Sequence, residues 1–183
     1  MGIAADAIVF LFAAKLDGNK NAGLLIEVFA GLNNTGCNLV IAGNGEYEKQ
    51  LQETYKMHKN IHFLPFQNQS NMPLLYRVGD VFVLPSKSET WGLAINEAMA
   101  CSRAVLVSDN CGAAIDLVSN AVNGYTFRSS DLNDLKEKMW HFISAGNRIK
   151  SMGTASFDII KEWSYEKDCD AIEAVLRSVN KSA

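Results

Sequence analysis

Val81-Phe82-Val83-Leu84-Pro85-Ser86-Lys87-Ser88-Glu89-Thr90-Trp91-Gly92-Leu93-Ala94-Ile95-Asn96-Glu97 reads as an apolar strand, a polar loop, a glycine and then a helix. The residues before the proline show no polar alternation, the pattern of a strand covered on both faces. Two glutamates bracket the glycine-led helix start: Glu89 in the loop, and Glu97 about a turn and a half into the helix. Such a segment makes a small polar pocket at the carboxyl end of a sheet, where α/β proteins bind ligands.

Working outward, apolar runs at 7–13, 38–42, 60–64, 80–84 and 104–108 and the short run 125–127 read as strands. Helical periodicity places helices over 20–32, 46–58, 71–77, 92–99, 112–119, 132–143, 148–160 and 164–179. Strands and helices thus alternate through six β units. The expected fold is an α/β, doubly wound, Rossmann-like parallel sheet with helices on both faces, one domain over 1–183. The last helices are longer than the sheet needs, so the end of the chain is expected to pack on something else.

With 183 residues, 48% apolar, the chain is long enough for one well-buried core and short for two. Net charge is −3 with no lysine or arginine stripe, which argues against nucleic acid as a partner. No run reaches membrane-spanning length, because Asp6 and Lys15 bound the most apolar stretch. No basic, cleavable leader is read at the start. Cys37, Cys101, Cys111 and Cys169 are dispersed, without zinc-ligand spacing, so a reduced, cytoplasmic protein is expected and no metal site.

The loop 14–21 carries Lys15 and Lys20 before the first helix, either a cationic cradle for a diphosphate or two solvated surface lysines. It has neither the Walker A nor the dinucleotide glycine spacing. Gly43-Asn44-Gly45 is a tight turn after the second strand, or a close backbone approach for a ligand. Glu97 lies in an otherwise apolar helix, facing solvent or turned back to accept from a vicinal diol. Glu89 faces sugar hydroxyls or braces its loop, and Gly92 opens a helix whose first amides suit an anion. Gly112 gives a ligand close access or only starts a helix. His58, His62 and His141 do not cluster, Cys101 reads as a core thiol, and Phe157 and Trp163 as apolar anchors between the terminal helices.

In order along the chain these pieces resemble the C-terminal half of retaining glycosyltransferases of family 4, the large GT-B class. Ala14-Lys15 and Lys20-Asn21 stand where that family has Gly-Arg and Lys-Gly. Gly43-Asn44-Gly45 matches its Gly-x-Gly, and Gly79-Asp80 through Pro85-Ser86 its Ala-Asp strand. Glu89 to Glu97, with Trp91-Gly92 for Phe-Gly, matches its Glu-x7-Glu element, and Glu97-Ala98-Met99-Ala100-Cys101-Ser102 its Glu-Ala-Met-Ala-x-Gly. Gly112-Ala113-Ala114-Ile115-Asp116 stands for Gly-Gly-x-x-Glu, and Asn123-Gly124 for its Asn-Gly turn. The departures are Lys15 for arginine, Asp116 for glutamate, and Ala14, Asn21, Ser102 and Ala113 for glycines.

The resemblance implies a donor-binding domain for a UDP- or GDP-hexose, with no tightly bound cofactor. Lys15 and Lys20 would hold the diphosphate, Glu97 the ribose and Glu89 the donor sugar. Backbone at Gly92 and Leu93 would add contacts, and segments near Gly43 and Leu64 would shape the base pocket. Glu89, Lys15 and Lys20 would serve the transfer itself, with retention of configuration. It further implies a hexosyltransferase acting on a glycan or lipid-linked acceptor, held by an N-terminal domain outside this chain, with peripheral membrane association of the whole protein. The domain alone would be inactive. The alternative is a noncatalytic nucleotide-binding or scaffold domain of the same fold.

Overall fold

Six strands form one sheet in the order β3-β2-β1-β4-β5-β6, every neighbouring pair parallel, with helices on both faces. The strands are β1 (Ile8–Ala13), β2 (Cys37–Ala42), β3 (Ile61–Leu64), β4 (Val81–Leu84), β5 (Ala104–Ser108) and β6 (Gly124–Phe127). The helices are α1 (Ala22–Ala30), α2 (Glu48–Tyr55), α3 (Met72–Val78), α4 (Leu93–Ala100), α5 (Ala113–Leu117), α6 (Leu132–Ala145), α7 (Arg148–Ile160) and α8 (Tyr165–Lys181). This computed structural model describes residues 2–181, with side-chain surroundings for all of these except 168 and 178–181.

Alternate residues of each strand feed two cores, which is why the strands are apolar throughout. Phe10 and Phe12 of β1 pack with Leu25, Ile26 and Phe29 of α1 and with Leu135, Met139 and Phe142 of α6. Val9 and Leu11 point the other way, to Leu75 and Tyr76 of α3 and Ile95, Ala98 and Met99 of α4. Phe10 and Leu11 are both fully buried, and each such burial is worth about 1.5–3 kcal/mol.

The junction of β1 and β4 is the topological switch point, and local chemistry tightens it. The Val9 amide donates to Asp80 Oδ2 at 2.9 Å, and the Asp80 amide donates to the Val9 carbonyl at 2.8 Å. A side-chain carboxylate thereby continues the ladder one step beyond β4. Gly79 lies against Leu11 so closely that an added Cβ would stand 2.5 Å from the leucine Cβ.

The expected strands and helices are all present, with ends shifted by a few residues. α1 starts at Ala22 rather than at residue 20, because Asn21 is in the left-handed region at φ 56°. A short 3-10 turn at Gln69–Asn71, which the periodicity does not announce, leads into α3. On α8, Ile172 and Leu176 are more than half exposed.

Candidate functional site

The three loops that follow β1, β4 and β5 are knitted together at the carboxyl end of the sheet. Asn19 ties the first loop to the second: its Nδ2 donates to the Ser88 carbonyl at 2.8 Å, and its own carbonyl accepts from the Lys87 amide at 2.8 Å. Asp17 Oδ1 accepts from the amides of Asn19 and Lys20 at 3.0 and 2.8 Å, shaping the loop before α1. From the other side, Asn110 Nδ2 donates to the Lys87 carbonyl at 2.9 Å, and its carbonyl accepts from the Glu89 amide at 3.1 Å. The Glu89 carbonyl accepts from the Gly112 amide at 3.0 Å. Glu89 is therefore held by both backbone groups before its side chain does anything.

That side chain pairs with Lys20 Nζ, across a sequence separation of 69 residues, with both side chains mostly covered. Of the two lysines in the first loop, Lys20 meets the second loop. Lys15 is exposed and lines a different part of the surface. That part is an open cleft of about 520 Å³, floored by Ala13, Ala14 and Ala42 with Gly43 and Asn44, and walled by Phe66, Gln67, Asn68 and Gln69. Leu64 ends the adjacent strand, its carbonyl accepting from the Gly43 amide at 3.4 Å.

Glu97 does not turn to bulk solvent. Tyr76 donates its hydroxyl to Oε2 at 2.7 Å, and Gln69 Nε2, on the cleft wall, donates to Oε1 at 3.3 Å. Burial first, and then the Glu97 carboxylate, push the Tyr76 phenol far above the usual range, so it remains a donor. Gly92 caps α4 at φ 102°, leaving the first amides of that helix outside its own ladder, and the Leu93 side chain beyond it is 69% exposed. Ser86, fully buried at the start of the loop, has an Oγ without a protein partner.

Three of the loop glycines stand where another stretch of backbone comes close. An added Cβ at Gly112 would lie 2.1 Å from the Thr90 carbonyl oxygen, so this glycine admits the Glu89 loop rather than only starting a helix. At Gly43 it would lie 2.0 Å from the Ala14 carbonyl oxygen, and at Gly45 2.3 Å from that of Leu16. Trp163 corrects its sequence reading: instead of wedging between terminal helices, its ring lies 5.6 Å from that of Trp91, one residue before Gly92. Phe157 likewise is 45% exposed.

The sequence reading therefore names Lys20, Glu89 and Gly92 in one crevice and Lys15 and Gly43 in the neighbouring cleft. It does not single out Asn19, Asn110, Gln69 or Tyr76. Each acts through a non-local contact for which a one-dimensional pattern carries no signal. Among the described residues no three His, Cys, Asp or Glu are grouped so as to hold a metal ion, and no helix is long and apolar enough to cross a membrane.

Residues 2–157 match the family described as Glycosyl transferases group 1. An uncharacterised glycosyltransferase of Methanocaldococcus jannaschii is 33% identical over 129 residues, covering 68% of this chain and 33% of that protein. The chain spans less than half the length of the curated relatives it matches here. A solved structure of an Anabaena protein in complex with UDP superposes with a TM-score of 0.82 at 21% identity, covering 95% of this chain and 50% of that one. The C-terminal domain of a group 1 glycosyl transferase family protein from Francisella tularensis gives 0.75 at 22% identity, covering 84% of each chain. The fold is thus of the GT-B type, matching the C-terminal half of such structures.

Proposed function

This chain belongs to the glycosyl transferases group 1 family, and on that premise we propose that it is the donor-binding domain of a retaining, family 4 glycosyltransferase. The donor is a UDP- or GDP-hexose, and the hexosyl group passes to a glycan or lipid-linked acceptor. The observation that carries the reading is the crevice at the switch point. There a lysine–glutamate pair meets the loop that leads into α4, and in the neighbouring cleft of about 520 Å³ the wall residue Gln69 donates to the Glu97 carboxylate.

Lys20 and Lys15 take the diphosphate, which the first amides of α4, at Leu93 and beyond, also suit. A phosphate arriving at Lys20 replaces Glu89 as its counter-charge. Glu89, still fixed by its backbone, is then released to accept from hydroxyls of the donor sugar. Glu97 accepts from the ribose, and the base lies in the cleft bounded by Gly43 and 66–69, with Leu64 at its edge. As the sugar–phosphate bond breaks, negative charge grows on the leaving diphosphate, where preorganised lysines and amides are most effective. The leaving phosphate itself assists deprotonation of the acceptor, so no side chain is assigned as general base.

The acceptor is assigned to a second domain facing this one across the carboxyl end of the sheet. A peripheral place at the cytoplasmic face of a membrane fits a lipid-linked acceptor. Alone, this chain then binds donor but transfers little, because alignment of the acceptor and exclusion of water need both walls of the cleft.

Calorimetric titration with UDP, GDP, ADP and their common sugar conjugates tests the reading. Saturable binding of one nucleotide class is expected, weakened about tenfold or more by Glu97→Gln and by Lys20→Ala, each of which removes a charge-assisted contact. Binding indifferent to both substitutions would sink the assignment. No binding to any of them, with Glu97→Gln affecting stability alone, would favour the noncatalytic scaffold.

A further inference from the structure

Glu89 and Glu97 are both half-buried carboxylates, yet they are held in opposite ways. Glu89 has a cation against it. Among the described residues the partners of Glu97 are two neutral donors, Tyr76 and Gln69. A carboxylate so held has neutral donors rather than a cation against it. It repels phosphate and favours a neutral ligand rich in O–H donors.

The two contacts are also unequal. The bond from Tyr76 is short at 2.7 Å and comes from a side chain that is 1% exposed. Its ring is fixed edge-on against Phe82 of β4, centroids 5.5 Å apart at 76°. The bond from Gln69 is long at 3.3 Å, and Gln69 is an exposed side chain lining the cleft. A hydroxyl ligand arriving through the cleft therefore displaces Gln69 from Oε1 and leaves Tyr76 on Oε2. Phenylalanine at 76 would pack the same ring against Phe82 without a buried hydroxyl to satisfy. The hydroxyl is accounted for by what it holds.

We infer that Tyr76 is a positioning residue for a vicinal-diol site: its O–H anchors Glu97 Oε2 so that Oε1 is presented to the ribose of the nucleotide. The inference rests on the reading of Glu97 given above and deepens it. Tyr76 touches no ligand atom. It sets the angle of the carboxylate that does, and loss of such an orienting hydrogen bond costs on the order of tenfold in affinity.

The experiment uses the whole chain, as parent, Tyr76→Phe and Glu97→Gln, with UDP and GDP each titrated beside its 2′,3′-dideoxy counterpart. Thermal unfolding of each variant checks that the fold is kept. Tyr76→Phe is expected to weaken the ribonucleotide about tenfold and leave the 2′,3′-dideoxy nucleotide unchanged, shrinking the ribose preference as Glu97→Gln does. A merely structural tyrosine would weaken both nucleotides equally, and that result, or an unchanged preference, overturns the inference while leaving the donor site standing. If the parent binds neither UDP nor GDP, the donor-site reading fails and the inference falls with it.

Discussion

At Ser102 the backbone sits at φ 58° immediately beyond the last turn of α4. The Arg103 amide donates to the Ala98 carbonyl at 3.0 Å and the Ser102 amide to that of Met99 at 2.9 Å, a Schellman ending that requires a left-handed residue here. Glycine adopts that conformation freely, whereas a residue with a Cβ is strained by about 1 kcal/mol or more. Ser102→Gly is therefore expected to stabilise the chain by about 0.5–1 kcal/mol after the entropy of the added glycine, read as a higher urea midpoint at unchanged slope. A lower midpoint would show that the serine side chain holds something the strain argument omits. Asn21, the other departure at a left-handed position, has the side chain that tolerates it best. Ala14 and Ala113 are not at positive φ, so their side chains carry no such strain. The sequence shows that four family glycines are missing. It does not show which two of the replacements matter, because φ is set by the hydrogen bonds of the neighbouring turn.

Elements were legible because their signals are local. α6 follows Ser-Ser-Asp with apolar residues at helical spacing, and Asp131 caps it, Oδ1 accepting from the amides of Asn133 and Asp134 at 3.0 Å each. Asp131→Ala is expected to cost about 1 kcal/mol in urea unfolding, and Asp131→Asn far less, since an amide oxygen caps as well. Packing between elements leaves no such signature. Gly153 reads as a weak point in α7, where alanine would gain about 1 kcal/mol of helix propensity. In the fold a Cβ there would stand 2.2 Å from the Ser102 carbonyl oxygen. The overlap is with backbone and outweighs propensity, so Gly153→Ala is expected to destabilise by about 1–3 kcal/mol. A stabilised variant would mean that α7 and the end of α4 separate easily.

For the whole molecule, two cores on either face of the sheet set what solvent and reagents reach. Burial pushes the Cys37 thiol up to about 11, and burial, with Glu89 adding and Lys20 opposing, pushes Cys111 up to about 12. Cys101 is partly buried and raised for the same first reason, while Cys169 stands exposed on α8. An aromatic disulfide reagent at neutral pH should thus find Cys169 fast and Cys101 slowly, and reach Cys37 and Cys111 only after denaturation, since the thiolate is the reacting form. Four fast thiols would contradict the packing described. At this scale the division of information is plain. The sequence by itself determined the α/β alternation, the parallel sheet and the two carboxylates beside a glycine-led helix. Apolar runs, helical spacing and turn residues each act within a few positions. Only the tertiary structure decided that Lys20 rather than Lys15 meets Glu89, that Asn19 and Asn110 lock that loop, and that Tyr76 turns Glu97 inward. Those contacts join residues 20 to 70 positions apart, between the loops that follow β1, β4 and β5 and between α3 and α4. Their partners are set by the register of the sheet, which no single segment encodes.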